Sequence, residues 1–293
     1  MEAAQPAEVI FGLGALGVLI SMVVWGVYFI ATEFFNVNEE GDLSQLLIKT
    51  VSFFVMTSIG LVGLAFVVGL GTIITKFQEK NIQDGVDAYK VEEYESAFEI
   101  FEPFAEKGNV LAQSYLGLMY EQGEGVPQDY VEAVKWYLRA AMQEDAWAQF
   151  NLGVMYYNGN GVPQDWSEAA KWFRIAAKQG NAVAQFNLAL MYDYGRGVPK
   201  DDAEAVKWYR LAAEQGVAEA QHNLGVMYKN GEGVPQNFTN AYILFDLAAA
   251  QGNEDAWENR EIVAEKLTPD QLAEAQRLSS EWKVGGPLPL QED

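Results

Sequence analysis

The sequence predicts an all-α protein, in which an N-terminal two-helix transmembrane hairpin is followed by a right-handed α-solenoid of helix-turn-helix repeats. Four copies of a 36-residue unit fill residues 109–252, and 13 of the 36 positions hold the same residue in every copy. Upstream, residues 9–31 and 50–75 contain no charged side chain, and each segment is long enough to cross a hydrocarbon core of about 30 Å. Together the two patterns predict a membrane anchor joined to a repeat array.

Each repeat is predicted to contain two antiparallel helices, and the second copy illustrates why. Ala148 and Leu152 begin the apolar stripe of a first helix, helix A. Gly159 can end this helix in the left-handed conformation, and Pro163 prevents the helix from resuming. The array therefore divides into the units 109–144, 145–180, 181–216 and 217–252.

The second helix of each unit, helix B, has its own start signal. Asp165 occupies the N-cap position, and Glu168 is placed to complete a capping box. Small and large residues then alternate as close helix packing requires, which predicts a shared core rather than a ligand site. The small residues of this core are Ala148, Ala169, Ala176 and Ala177, and the large ones are Tyr156, Trp172 and Phe173.

These repeating residues, AQ..LG.MY..G.GVPQD...A.KWY..AA.QG, resemble the Sel-one-like repeat of the tetratricopeptide-repeat superfamily. Residues 94–108 resemble a lone helix B of a degenerate preceding unit, and residues 253–282 resemble the capping helices that often close such arrays. The resemblance implies a scaffold or adaptor that assembles other proteins and has no catalytic activity. It does not identify the partner.

The N-terminal region is predicted to be a membrane hairpin. Its parts are an acidic tail at 1–8, transmembrane helix 1 at 9–31, a short acidic connection at 32–49, transmembrane helix 2 at 50–77 and, within 78–108, an acidic stalk and the degenerate repeat helix. A cleaved signal peptide is the alternative for the first span, but it lacks the positively charged start and is too long. At the other end, residues 283–293 are rich in proline and glycine, which predicts a flexible tail.

Residues 9–31 and 50–75 contain no Asp, Glu, Lys, Arg or His, so transport by this chain alone is not expected. Small residues four positions apart allow close helix contact, either between the spans or with a membrane partner. These residues are Gly17, Ser21, Ala65 and Gly69. Lysines are more frequent after the second span than before it, which favours a bacterial inner-membrane protein with a cytoplasmic array, with a periplasmic array as the alternative.

Composition excludes several classes of function. The net charge of −22 argues against nucleic acid, because nucleic-acid binding depends on lysine and arginine. The chain has no cysteine and one histidine, His222, which leaves too little material for common metal sites or a Ser-His-Asp triad. We therefore expect no enzyme activity, no metal, no cofactor and no small-molecule substrate.

If the array binds a protein, the informative residues lie on helix A opposite its apolar stripe, since helices A line the inner wall of related arrays. The predicted partner-binding residues are Trp147, Phe150, Asn151, Tyr157, Phe186, Asn187, Tyr194, His222 and Asn223. Aromatic residues would act as anchors, and the three asparagines would form a hydrogen-bonding ladder. The alternative is that Phe150 and Phe186 pack between neighbouring repeats.

Two functions follow from these features. The first is a membrane-tethered scaffold or adaptor that binds a protein partner through the inner face of the solenoid. The second is an accessory or assembly subunit of a larger membrane complex, recognised through the transmembrane hairpin. The lipid bilayer is an expected partner in both.

Overall fold

The protein, described here by a computed structural model for residues 82–291, is entirely helical over that range apart from turns and connections. A helical segment at residues 82–90 precedes eleven further helices. These are α1 (Tyr94–Glu106), α2 (Val110–Gln122), α3 (Tyr130–Ala141), α4 (Ala146–Asn158), α5 (Trp166–Lys178), α6 (Ala182–Tyr194), α7 (Asp202–Glu214), α8 (Ala218–Asn230), α9 (Phe238–Ala249), α10 (Glu254–Ala264) and α11 (Pro269–Glu281).

The predicted transmembrane hairpin falls outside this range. The spans at 9–31 and 50–77, together with Gly17, Ser21, Ala65 and Gly69, lie outside the described residues. Among residues 82–291, no helix has both the length and the apolar character that crossing a membrane requires.

The repeat prediction is confirmed as a solenoid of helix pairs. Helices α2, α4, α6 and α8 are the four helices A, and α3, α5, α7 and α9 are the four helices B. Helix A of the second copy ends at Gly159, whose φ of 78° is the left-handed conformation of a helix C-cap. Helix B begins where Asp165 accepts hydrogen bonds from the backbone N–H groups of Ser167 and Glu168. Consecutive helices from α1 to α10 then pack on each other along the chain.

The predicted capping box at this start does not form. The Glu168 carboxylate accepts a hydrogen bond from the Lys171 ammonium at 2.6 Å, so it does not reach back to the N-cap backbone. The Asp165 N–H instead donates to the carbonyl of Tyr156 at 2.9 Å, at the end of helix A. The competing backbone acceptor makes the carboxylate unnecessary.

Two glycines of the unit are explained by close approach. A Cβ on Gly153 would lie 2.6 Å from the Phe173 ring, so helix B rests its buried aromatic side chain directly on helix A. A Cβ on Gly161 would lie 2.2 Å from the carbonyl oxygen of Tyr130, the first residue of α3 in the preceding copy. The second glycine of each turn therefore sets the contact between successive copies.

The core follows the predicted alternation of small and large residues with one adjustment. The four alanines of the second copy and Phe173 are buried. Tyr156 and Trp172 are only partly buried and pack at the edge of the core clusters. They lie between one copy and the next, so they pack at the boundary between copies rather than in the centre of the core.

A column of buried glutamines runs through the array and was not predicted from the sequence. Each glutamine donates its side-chain N–H to a carbonyl eight residues earlier, at 3.0 or 3.1 Å. The members are Gln113, Gln149, Gln185 and Gln221. Their side-chain oxygens accept from a second glutamine 30 residues later, at 2.7 or 2.8 Å. Paired in both directions, these amides are satisfied although they are buried.

Helices flanking the four copies extend the array. At its start, α1 packs on α2, and the Ala105 carbonyl of α1 accepts a hydrogen bond from Gln113 as the helices B of the copies do from the next glutamine. At its end, α10 repeats the helix A start, since Asn253 accepts from the N–H of Ala256. The last helix, α11, packs on α9, where Ser279 donates a hydrogen bond to Asp246 at 2.6 Å.

The C-terminal segment differs from the predicted flexible tail. Residues 283–291 lie against the array, with Leu288 buried and the Gly285 N–H donating to the carbonyl of Glu214 at 2.8 Å. Asn240, fully buried in α9, donates to the Gln291 carbonyl at 3.1 Å and accepts from the Gln291 N–H at 2.7 Å. Proline and glycine suggested disorder, but the burial of leucine and these paired backbone bonds order the segment.

Candidate functional site

The middle of the predicted inner wall, on α4 and α6, is almost uncharged, although the protein is acidic. Helices α4 and α6, with the sequences AWAQFNLGVMYYN and AVAQFNLALMYDY, carry one charged side chain between them, Asp193. Trp147 on α4 is 39% exposed and Tyr194 on α6 is 62% exposed. We call the surface formed by the outward side chains of α4, α6 and α8 the helix A face.

One column of predicted anchors is largely committed to packing. The rings of Phe150, Phe186 and His222 occupy equivalent positions in successive copies and are partly buried. Each lies against the core aromatic residue of its own helix B, with ring centroids 5.8 Å apart for Phe150 and Phe173 and 5.7 Å apart for His222 and Phe245. These rings therefore pack mainly against helix B, and only part of each ring remains accessible to a partner.

His222 is held by hydrogen bonds as well as by packing. Its Nδ1 lies 3.1 Å from the Asn223 side-chain oxygen, and its Nε2 lies 3.3 Å from the Asn259 amide nitrogen. His222 was predicted to contact a partner, and the structure places it in a hydrogen-bond network between α8 and α10. This network continues to Lys229, which donates to Asn259 at 2.6 Å.

The three predicted asparagines do not form one uniform ladder. Asn187 donates to the Val183 carbonyl of its own helix at 2.8 Å, and Asn223 donates to the Tyr209 hydroxyl at 3.2 Å. The Asn151 amide nitrogen is buried and has no hydrogen-bond partner among the described residues. Equivalent positions therefore have different local chemistry, and a ligand would meet a different amide environment in each copy.

A cluster of three aromatic residues and one arginine forms where the second copy meets the third. Arg196 donates to the Tyr157 hydroxyl at 2.6 Å. Its guanidinium carbon lies 5.3 Å from the Tyr194 ring centroid and 5.7 Å from that of Trp166. We call these four residues the arginine cluster. A small cleft beside it is lined by Tyr157, Asn187, Leu190, Met191, Tyr194 and Arg196.

The backbone explains why the arginine cluster assembles. A Cβ on Gly197 would lie 2.2 Å from the carbonyl oxygen of Trp166, so the turn of the third copy is pressed against the start of α5. Arg196, the residue before Gly197, is thereby carried to the Trp166 and Tyr157 side chains. Tyr157 and Tyr194 were predicted from the sequence, whereas Trp166 and Arg196 were not. The available signal was the turn residue itself, because Arg196 stands where the other copies have Glu124, Asn160 and Glu232.

Charge on the helix A face is distributed unevenly. Within residues 82–291, Arg196 forms no ion pair with a carboxylate, although it is exposed. The single carboxylate of α6, Asp193, accepts a hydrogen bond from the Tyr209 hydroxyl at 3.1 Å. Burial raises the pKa of Asp193, while the Tyr209 hydrogen bond and Lys200 lower it in part. The turn after α6 therefore carries a positive charge that has no carboxylate partner among the described residues and lies beside aromatic rings.

This chemistry suits noncovalent recognition. Aromatic rings supply apolar contact area, and a guanidinium binds carboxylates in a fixed geometry. Among the described residues, no group of three His, Cys, Asp or Glu side chains is placed to hold a metal ion.

Comparisons with known proteins agree with the helix pattern. The Sel1 repeat model matches residues 110–145, 148–181, 182–217 and 218–253. No curated protein matches the chain. The crystal structure of a protective antigen present in uropathogenic Escherichia coli strains, which displays an SLR fold, is 34% identical with a TM-score of 0.64. The match covers 71% of this chain and 46% of that protein, so this chain spans less than half of the antigen.

A second solved structure matches over most of its length. The crystal structure of a Sel1 repeat protein from Oxalobacter formigenes is 32% identical to this chain, with a TM-score of 0.60. The match covers 69% of this chain and 82% of that protein. The repeats, their helix pairs and this relative lead to one assignment: the chain belongs to the Sel1 repeat family.

Proposed function

We propose that this protein is a membrane-tethered scaffold that binds a protein partner on the helix A face. A Sel1-repeat solenoid is consistent with a protein–protein interaction scaffold, and the absence of enzyme activity is part of the proposal. The observation that carries it is the exposure of Trp147 and Tyr194 on helices that hold one charged side chain between them. Exposed aromatic residues on an uncharged surface are typical anchors of protein interfaces.

Trp147 is the strongest single candidate for contact with a partner. The equivalent positions of the other copies hold Leu111, Val183 and Glu219, so stacking of the repeats does not require a large aromatic residue there. The Trp147 ring meets the buried Tyr137 ring edge-on, with centroids 5.8 Å apart, which fixes its orientation while leaving part of it exposed. An oriented and exposed ring loses little conformational entropy when it binds.

Membrane tethering is the second part of the proposal and is supported by the two charge-free segments at 9–31 and 50–75. We place the protein in a bacterial inner membrane, with the array in the cytoplasm because of Lys76, Lys80 and Lys90 after the second segment. A periplasmic array is the alternative. A cysteine introduced at exposed Met142 of full-length protein distinguishes the two by its labelling with a membrane-impermeant maleimide in intact spheroplasts.

A second candidate function is an accessory subunit of a larger membrane complex. The observation that favours it is the pair of small-residue spacings in the predicted spans, Gly17 with Ser21 and Ala65 with Gly69. Small residues four apart permit close contact between transmembrane helices, including contact with another protein. The partner would then be recognised through the hairpin rather than the array.

One extraction experiment separates the two functions. The tagged full-length protein is extracted in mild detergent, and the proteins that copurify are quantified by mass spectrometry for wild type and variants. We expect Trp147→Ala with Tyr194→Ala to deplete the partner, while Gly17→Leu with Gly69→Leu leaves it bound. Trp257→Ala is the matched control, because Trp257 is 55% exposed but lies on α10. Loss of the partner from the glycine variant alone would contradict the scaffold proposal and favour the complex subunit.

A further inference from the structure

The arginine cluster has the composition of a recognition site. Arg196 is exposed, its guanidinium lies near two aromatic rings, and one of its terminal nitrogens donates to Tyr157. A guanidinium has five N–H donors, so the hydrogen bond to Tyr157 leaves the others available. The contacts with Tyr157, Trp166 and Tyr194 hold the side chain in place before a ligand arrives, which reduces the entropy cost of binding.

The surroundings of Arg196 set the chemistry of its ligand. Helix α4 has no charged residue, and the carboxylate of Asp193 on α6 is already bonded to Tyr209. Leu190 lines the same cleft and offers apolar surface beside the guanidinium, whereas Met191 in the cleft is buried. A ligand that matches this surface has one carboxylate next to an apolar side chain.

Charge farther along the array limits how acidic that ligand can be. The turn positions equivalent to Arg196 hold glutamate in the first and fourth copies, Glu124 and Glu232, and the chain has a net charge of −22. A partner with a run of acidic residues would be repelled on both sides of the second and third copies. A largely apolar segment with a single carboxylate would avoid this repulsion.

We propose that Arg196, with Tyr157, Trp166 and Tyr194, binds a carboxylate on an otherwise apolar segment of the protein partner. The inference rests on the proposed scaffold function and adds the chemistry that the partner presents. The carboxylate takes the free N–H donors of Arg196, and the apolar side chain beside it packs on Tyr194 and Leu190. An arginine–carboxylate pair is strongest when it is hydrogen-bonded in two places and partly shielded from water.

Matched peptides test this inference with the full-length protein in detergent. The probes are immobilised peptides of about 12 residues with randomised apolar sequences, each made with a central glutamate and again with glutamine. Dissociation constants of the best pairs are then measured in solution by fluorescence anisotropy. We expect the glutamate form to bind about tenfold more tightly than its glutamine twin, as a charge-assisted hydrogen bond should give.

Variants assign the preference to Arg196. Arg196→Gln should remove the preference, so that the glutamate and glutamine forms bind equally. Arg196→Lys should keep part of the preference, because the lysine keeps the charge but not the fork geometry. Arg139→Gln is the control, since Arg139 is exposed and lies 4.4 Å from the Trp136 ring on α3. It should keep the full preference.

The outcomes separate this inference from the function on which it rests. Equal binding of both peptide forms, or a preference that survives Arg196→Gln, would overturn the carboxylate site. If Trp147→Ala still weakens both forms in that case, the scaffold function stands without it. If no peptide of either form binds, the carboxylate site and binding at the helix A face both fail.

Discussion

The side chains of Gln179 and Gln149 join two helices of one repeat, with the Gln179 amide N–H donating to the Gln149 oxygen at 2.7 Å. Gln149 in turn donates to the carbonyl of Ala141 in the preceding repeat at 3.1 Å. A single buried amide thus connects α3, α4 and α5. The same geometry recurs in each of the four copies, so every boundary between repeats contains a polar link as well as apolar packing.

Replacing the buried amide should weaken the array. Gln149→Ala leaves the Ala141 carbonyl without its side-chain donor, and a buried polar group without a partner costs about 1–3 kcal/mol. We expect a decrease of that size in the free energy of unfolding, measured from urea unfolding followed by circular dichroism. Exposed Gln122→Ala serves as the control and should change stability by less than about 0.5 kcal/mol. Equal effects of the two substitutions would contradict a structural role for the column.

Alanine substitutions at glycines with positive φ allow the cost of backbone strain to be separated from the cost of a steric clash. Gly161→Ala meets both penalties, because φ is 71° and the new Cβ would lie 2.2 Å from the Tyr130 oxygen. Gly180→Ala meets the first alone, since φ is 92° and no atom lies within 4 Å of its Cβ position. We expect Gly180→Ala to cost about 1–2 kcal/mol and Gly161→Ala to cost clearly more, because the backbone of two copies must separate.

Urea unfolding of the two variants checks this ordering. Gly159→Ala is a useful third variant, because its φ is 78° and its nearest neighbour is the Gln164 Cβ at 3.1 Å. Its cost should lie between the other two. A Gly161→Ala protein as stable as the Gly180→Ala protein would show that the backbone contact between copies can relax.

The raised pKa of Asp193 predicts how stability changes with pH. Burial places the pKa of the folded state above the unfolded value of about 3.9, so the contribution of Asp193 is most favourable below that value and is lost as the pH rises through the folded pKa. Asp193→Asn cannot ionise and keeps an oxygen acceptor for Tyr209. We therefore expect the unfolding free energy of the variant, relative to that of wild type, to be higher at about pH 7 than at about pH 3.

The measurement is the difference in unfolding free energy between the variant and wild type at both pH values. Asn158→Ala, a substitution at an exposed position of α4, removes no ionisable group, so it is the control and should show the same difference at each pH. If the unfolding free energy of Asp193→Asn minus that of wild type stays constant or falls toward neutral pH, the effect of burial is contradicted.

Removal of the C-terminal segment should destabilise the end of the array. Truncation after Trp282 exposes the surface covered by Leu288 and leaves Asn240, which is 0% exposed, without the Gln291 backbone. We expect a loss of about 1–3 kcal/mol and faster amide exchange at the start of α9. Gln291→Ala should have little effect, because both bonds to Asn240 use backbone atoms of Gln291. Unchanged exchange in α9 after truncation would show that the segment does not support the array.

Much of the fold was predictable because the repeat encodes it several times. Four copies of one pattern average out local ambiguity, so the ends of helices A and B follow from Gly159 and Asp165 in the second copy and from their equivalents elsewhere. The buried glutamines were missed because a polar side chain is expected at the surface. Their identity in every copy, in a sequence where most other polar positions vary, was the signal that a buried partner existed.

The candidate site was only partly predictable for a different reason. Periodicity locates the face of a helix, and it correctly placed Trp147 and Tyr194 at exposed positions. Periodicity does not show that Phe150 packs against Phe173, or that a turn residue such as Arg196 contacts Tyr157, 39 residues away in the chain. Such contacts depend on how the third copy settles on the second, which a single copy does not reveal.

Every boundary between copies uses the same two contacts, and this has a consequence for how the protein can evolve. Each boundary needs a buried glutamine in one copy and a closely packed turn glycine in a neighbouring copy. Duplication of a 36-residue unit therefore supplies both residues of a new boundary at once. The column stops at α10, where Trp257 stands 36 residues after Gln221. Tandem duplication before α10 would lengthen the helix A face while reusing the existing contacts between copies, and point changes at positions such as 147 and 196 would alter the surface of that face and its turns without disturbing those contacts.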